Sequence, residues 1–270
     1  MEYPFEDRRA EEARLVAQGR LFDPLTRRLL ADAGLTPGMR VLDLGSGAGN
    51  VALIAAGLVG PEGRVVGVER DPVAVERARR LAAEAGVANV EFREGDVTTL
   101  EGVEPGFDAV VGRLVLMYLA DPAGALRRAA GRLRPGGVLC LHEADLDYLW
   151  AYPRTPLWEQ LRGWLFQTLE KAGVRRRMGL ELYGAFRAAG LPAPRLTFEA
   201  VAGGGPEAPA WGWAWFVGGL APLMARLGVA TVAEVGPETL ADRLLAELTA
   251  EDGYVIGPPL VGAWAVVPGE

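Results

Sequence analysis

Three glycines at alternate positions, Gly45, Gly47 and Gly49, stand between the apolar run Val41-Leu42-Asp43-Leu44 and the helix-forming run Val51-Ala-Leu-Ile-Ala-Ala56. Strand, tight turn and helix in that order make a seat for a small-molecule cofactor. Glycine lets the turn take positive φ and lets a ligand approach the backbone where a Cβ would clash. The helix N-terminus beyond it favours a bound polar or anionic group. Ser46 inside the turn and Asn50 at its end belong to the same seat. Asp43, just upstream, can accept backbone N–H bonds within the turn. A dinucleotide fingerprint Gly-x-Gly-x-x-Gly needs Gly or Ala where this chain has Asn50, so a nicotinamide cofactor is disfavoured.

Further polar residues follow at the ends of apolar runs. Arg64-Val-Val-Gly-Val-Glu69 reads as a second strand whose terminal carboxylate lies about 20 residues past the turn, where a ribose-binding acid belongs. Arg70, grouped with the cofactor site, and Asp71 form the loop and the next helix cap. Val90-Glu-Phe-Arg-Glu-Gly-Asp96-Val97 is a third strand ending in Gly-Asp. Phe107 to Leu119 is a fourth strand and its exit loop, with Arg113, Met117 and Tyr118. Leu133-Arg-Pro-Gly-Gly-Val-Leu139 turns into a fifth. His142, the only histidine, sits at the end of that strand beside Glu143 and Asp145. A lone histidine is more often structural than catalytic, but this position raises the second reading. Its usual near-neutral pKa would suit a general base and give an ascending pH limb near neutrality. Neighbouring strand residues face opposite ways, so His142 and Glu143 are not expected to reach one ligand together.

The ordered set, over roughly residues 35–145, resembles the motifs of class I S-adenosylmethionine (SAM) dependent methyltransferases. The resemblance implies that Asp43 orients the glycine loop and the methionine part of SAM. It implies that Glu69 binds the ribose, that Asp96 meets the adenine amino group, and that Val97 packs on the ring. Arg113 departs from the family's common Asn, Asp or Ser. Two roles compete for it: holding the SAM carboxylate or an anionic substrate group, or forming a structural salt bridge. The implied fold is α/β, a Rossmann-like, seven-stranded, mostly parallel sheet with an antiparallel last strand and helices on both faces. The implied reaction is in-line methyl transfer to a small molecule. A different class of activity on the same scaffold binds SAM without transferring methyl, as a cyclase, decarboxylase or hydroxylase.

The elements must place these residues. Residues 6–21 read as a charged helix. Asp23-Pro24, cap and first helical position, should start a second helix reaching Asp32, and Gly34 stops it. Strands are expected at 40–44, 64–69, 90–94, 107–112 and 137–143, alternating with helices at 49–58, 72–86 and 121–133. Such a Val- and Leu-rich βα rhythm implies a parallel sheet covered on both faces. Beyond 143 the pattern breaks: helices at 156–172 and 178–189, a strand at 195–201, a Gly/Pro loop at 203–209, an apolar Trp-rich stretch at 210–228, an amphipathic helix at 237–250 and a closing strand at 260–267. The methyltransferase domain thus spans 34–270. Residues 1–33 are expected as an N-terminal helical lid, with helical insertions at about 144–177 and 203–256 that flank the strand ends and shape the substrate pocket.

Net charge −7 argues against non-specific nucleic-acid binding. The run Arg175-Arg176-Arg177 reads as a solvated helix end or loop ahead of a phosphate site. One cysteine, Cys140, excludes an intrachain disulfide, and no cluster has metal-ligand spacing. No apolar run reaches the ~20 residues of a membrane span, and no signal-peptide core is present, so a cytoplasmic protein is expected. The acidic balance and apolar additions favour a small, partly aromatic or lipophilic substrate. Trp211, Trp213 and Trp215 read as core of an insertion, with an aromatic cage for a cationic amine as the alternative.

Overall fold

The computed structural model describes residues 8–148, 150–205 and 210–268. The chain divides into two compact units. One holds Asp23–Ala144, Met178–Phe198 and the segment from Leu260. Its strands are β1 (Arg40–Leu44), β2 (Arg64–Glu69), β3 (Val90–Glu94), β4 (Phe107–Arg113), β5 (Leu133–Ala144), β6 (Arg195–Glu199) and β7 (Leu260–Val266). They form one seven-stranded sheet in the order β3-β2-β1-β4-β5-β7-β6. The pairings β1–β2, β1–β4, β2–β3 and β4–β5 are parallel, and β7 runs antiparallel to β5. Helices buried against both faces explain why β1, β2 and β4 are near-continuous Val and Leu rather than alternating.

Helix α1 (Arg8–Asp32) is continuous through Pro24. The expected break at Asp23-Pro24 is therefore corrected. Asp23 does not spend its carboxylate on a cap: Oδ1 accepts from the Arg113 guanidinium at 2.9 Å. Residues 23–32, grouped by sequence with the additions, belong to the sheet unit. Leu29 and Leu30 join the core cluster with Val41, Val111, Cys140 and Trp264. Gly262 makes this possible, since a Cβ there would stand 2.4 Å from Leu29 Cδ1. Helix α2 (Asn50–Val59) starts from Gly49, and α3 (Pro72–Glu84) starts from Asp71, whose side chain accepts from Val73 N–H. Helix α4 (Pro122–Ala130) is capped in the same way by Asp121.

The other unit comprises the described part of 1–22, Asp145–Arg177 and Glu199–Pro259. It contains the helices Pro156–Lys171, Ala210–Gly219, Ala221–Arg226, Val232–Val235 and Leu240–Ala250. A three-stranded antiparallel sheet joins Ala151–Tyr152, Tyr254–Ile256 and Ala202–Gly204. The sequence reads residues 203–209 as loop. Gly203 and Gly204 instead pair with Val255 and Tyr254, while 206–209 lie outside the described residues. Ala-Gly-Gly has no β-forming side chain, so this strand exists only through its backbone partner.

Trp213 stacks on Trp150 with ring centroids 3.6 Å apart. Their indole N–H groups donate to the Ile256 and Leu146 carbonyls. Both rings are buried with satisfied donors, which is a packing role. Trp215 is 39% exposed, and the side chain of Trp211 lies outside the described residues. In the arginine run, Arg176 and Arg177 both meet Asp147, at 2.6 and 3.6 Å. Among the described residues no helix is long and apolar enough to cross a membrane.

Candidate cofactor and substrate site

The carboxyl ends of β3, β2, β1, β4 and β5 lie side by side. Asp96 follows β3, Glu69 ends β2, the glycine turn follows β1, Arg113 ends β4, and His142 lies near the end of β5. The chain builds outward from β1 to β3, then resumes at β4 on the other side of β1. Ligands of open α/β sheets bind at the crevice this reversal leaves.

Gly45, Gly47 and Gly49 have φ of +59°, +51° and +91°. A Cβ on Gly49 would stand 2.8 Å from the Phe92 ring, whereas one on Gly47 would meet nothing within 4 Å. Gly49 therefore serves packing and Gly47 leaves open space. Ser46 N–H donates to Val68 O, while its buried Oγ has no partner among the described residues. Glu69 ties the turn to the start of α3: Oε2 accepts from Gly47 N–H at 3.0 Å, and Oε1 from Arg70 and Asp71 N–H at 2.8 and 3.0 Å. Three of about four acceptor positions are thus used. The Arg70 side chain is exposed, as is Asp96; Val97 is half-buried. Asp96 Oδ1 accepts from Thr98 N–H at 2.7 Å, which holds its carboxyl below the usual range.

Asp43, Val111 and Cys140 share one row of the sheet, and Arg113 and His142 stand two residues beyond the last two. Side chains two apart on a strand face the same way. Asp43, Arg113 and His142 therefore line one face, the face of Leu29 and Leu30. Asp43 is buried, and neither carboxylate oxygen has a partner of good geometry among the described residues. Burial raises its pKa to about 8, against the pull of Arg113 and the Ala52 amide, with Glu69 adding repulsion. The Arg113 side chain is only 7% exposed and makes the ion pair with Asp23, one of its two expected roles. Its NH1 also donates to Thr26 Oγ1 at 2.9 Å. Asn50 Nδ2 reaches Asp23 Oδ2 at 3.5 Å.

His142 is 1% exposed. Its Nδ1 lies 3.1 Å from Thr26 Oγ1, and its Nε2 has no partner among the described residues. Burial, and then the charge of Arg113, lower its pKa to about 3. The near-neutral pKa expected from residue type alone is corrected: the ring is neutral throughout the physiological range, so it supplies no ascending limb near pH 7. Glu143 faces the other way. Its Oε1 accepts from Val115 and Leu116 N–H at 2.9 and 2.8 Å and fixes the β4 exit loop, while burial pushes its pKa up to about 7.

Asp23, Thr26 and Glu143 are thus parts of this site that sequence reasoning passed over as a cap, a helix residue and a neighbour. Only Asp23 carried a signal, as an acid beside a proline. Among the described residues no group of His, Cys, Asp or Glu could hold a metal ion.

A family model described as a methyltransferase domain matches residues 35–172. Over 116 residues the chain is 38% identical to the aklanonic acid methyltransferase DauC of a Streptomyces species, which covers 43% of this chain and 53% of that protein. Over 113 residues it is 35% identical to the arsenite methyltransferase of Halobacterium salinarum, covering 42% of this chain and 29% of that protein. The chain therefore matches about a third to a half of the length of these relatives. In fold it is similar to a SAM-dependent methyltransferase from Aquifex aeolicus, with TM-score 0.54, 20% identity, 74% of this chain and 93% of that chain covered. With the glycine turn, the ordered acids and the 3-2-1-4-5-7-6 sheet, the match places this chain in the methyltransferase-domain family, on the fold of the class I SAM-dependent methyltransferases.

Proposed function

We propose that the protein transfers the methyl group of SAM to a small molecule at the carboxyl edge of β1 and β4. The observation that carries this is the buried Asp43, whose oxygens have no partner of good geometry among the described residues and stand beside a glycine turn with open space at Gly47. The residues fit the cofactor. Asp43 supplies acceptors for an ammonium group, the Gly47 backbone can be approached closely, Glu69 keeps acceptor capacity for a hydroxyl, and exposed Asp96 can take an amino group. Bound there, SAM would supply an electrophilic methyl to a substrate nucleophile, with S-adenosylhomocysteine as the leaving group. The chain's own part is alignment: Glu69 fixes the turn, Glu143 fixes the β4 exit loop, and Arg113 is braced by Asp23 and Thr26.

Substrate choice we assign to residues outside the sheet motifs, because those motifs are shared by enzymes of unrelated substrates. The apolar additions and the net charge of −7 favour a partly aromatic or lipophilic small molecule over nucleic acid. Arsenite is a poor candidate for this chain. Arsenic(III) is thiophilic, and the single cysteine is buried with its thiol pKa raised. A reducing cytoplasm suits such a chain.

Candidate small molecules incubated with the protein and methyl-labelled SAM should yield a labelled product heavier by one methylene unit. Turnover with no mass gain would instead mean a SAM-binding enzyme of another kind. Glu69→Ala should weaken SAM by about 1.5–3 kcal/mol, one to two decades. The same change should lower the melting midpoint, because three backbone N–H groups lose their acceptor. A SAM dissociation constant unchanged in calorimetry would remove Glu69 from the site.

A further inference from the structure

We infer that Thr26 and Arg113 fix His142 as a neutral imidazole with its proton on Nε2, so that it serves a bound ligand as a hydrogen-bond donor and not as a base. A count of protons decides between the tautomers. A guanidinium N–H can only donate, so Thr26 Oγ1 is the acceptor in its 2.9 Å bond with Arg113. Thr26 is buried, and its hydroxyl has one proton. The contact open to that proton is His142 Nδ1, 3.1 Å away. If Nδ1 carried the ring proton instead, two groups would be stranded: the Thr26 hydroxyl proton and the Nε2 lone pair. With Thr26 donating, only Nε2–H is left without a partner among the described residues. Stranded buried polar groups are costly, so the arrangement with fewer of them prevails. The Arg113 charge on the same oxygen also polarises the O–H and strengthens its donation.

Thr26 is therefore a positioning residue, held in turn by α1. Asp23, one turn earlier on that helix, pairs with the same guanidinium. Among the described residues the charged groups around His142 are Arg113 on β4 and Asp23 on α1, with Asp43 further along the same face. Gly262, opposite it on β7, has no side chain, and Glu143 faces the other side of the sheet. Burial, and then the charge of Arg113, oppose protonation of the ring. That the donor serves a ligand rests on the proposed function; the tautomer does not.

The chain has one histidine, so nitrogen-15 labelling of histidine gives one imidazole in the NMR spectrum of the ligand-free protein. Nε2 should appear protonated and Nδ1 unprotonated, unchanged from pH 5 to pH 8. Thr26→Ser keeps the hydroxyl and should keep this spectrum. Thr26→Val removes it at similar volume and should populate the Nδ1–H form. An imidazolium at pH 7, or a proton on Nδ1 in the wild type, overturns the inference even if Thr26→Val does not fold. So does a folded Thr26→Val protein with an unaltered tautomer. Added S-adenosylhomocysteine that binds by calorimetry should shift the Nε2–H resonance, and a bound ligand that leaves it unmoved contradicts the donor role. Absence of binding would count against the proposed function alone.

Discussion

At pH 8, Asp43→Asn should make the free protein more stable while weakening its affinity for SAM. Burial raises the Asp43 pKa from its ordinary 3.8 to about 8. A raised carboxyl pKa means that the folded state holds a proton the unfolded state has lost, so stability falls as pH rises from about 4 to about 8. At about 1.4 kcal/mol per pKa unit, the loss reached by pH 8 is roughly 5 kcal/mol. Asparagine carries no charge to desolvate, but its amide N–H groups need acceptors, at about 1–3 kcal/mol. The net gain is then about 2–4 kcal/mol at pH 8, vanishing or reversing near pH 5.

Glu143, raised from 4.5 to about 7, gives the wild type a slope of the same sign. His142 contributes the opposite slope between about pH 3 and 6.5 and none above, so pH 6.5–8 isolates the two acids. Loss of a charged partner for the cofactor should cost SAM one to two decades in affinity. Thermal midpoints at pH 5 and 8 with SAM calorimetry check both halves. A variant no more stable than wild type at pH 8 would mean that Asp43 is already solvated and ionised.

Gly49→Ala and Gly47→Ala should fail in different ways. At Gly49 the added Cβ meets the Phe92 ring at 2.8 Å and Ala78 at 3.2 Å, at a φ of +91°. Left-handed strain costs ~1–2 kcal/mol and overpacking ~1–3 kcal/mol, so about 3 kcal/mol of stability should go. That is roughly 5–10 °C in melting midpoint for a chain of this size. At Gly47 the φ of +51° lies in the left-handed basin and the Cβ meets nothing within 4 Å. Only ~1 kcal/mol of stability should be lost there, but the methyl occupies the space a ligand needs, and SAM affinity should fall tenfold or more. A Gly49→Ala protein as stable as wild type, or Gly47→Ala with unaltered affinity, would refute the division of labour between these glycines.

The sheet was legible because buried parallel strands are apolar over most of their length, and β1, β2 and β4 carry central Val, Leu and Ala runs with their charged residues mainly at the ends. Asp71-Pro72 and Asp23-Pro24 carry the same local signature, yet only the first starts a helix. The difference is tertiary. Asp71 caps Val73, whereas Asp23 is taken by Arg113, 90 residues away in sequence. Thr26 gives no local sign that its hydroxyl links Arg113 to His142, since that link depends on residues 23–32 of α1 lying over the β4 and β5 ends. The pKa of His142 likewise depends on burial and on Arg113, neither visible from residue type. The opposed facing of His142 and Glu143 was legible, because the strand runs unbroken to Ala144.

Isothermal titration of the purified protein tests the identity of the cofactor most directly. S-adenosylhomocysteine should bind with saturable heat and raise the thermal midpoint, as any ligand selective for the native state does. NAD should do neither, because Asn50 replaces the third small residue of its fingerprint. Micromolar binding of NAD, with no heat from S-adenosylhomocysteine or SAM, would contradict the account.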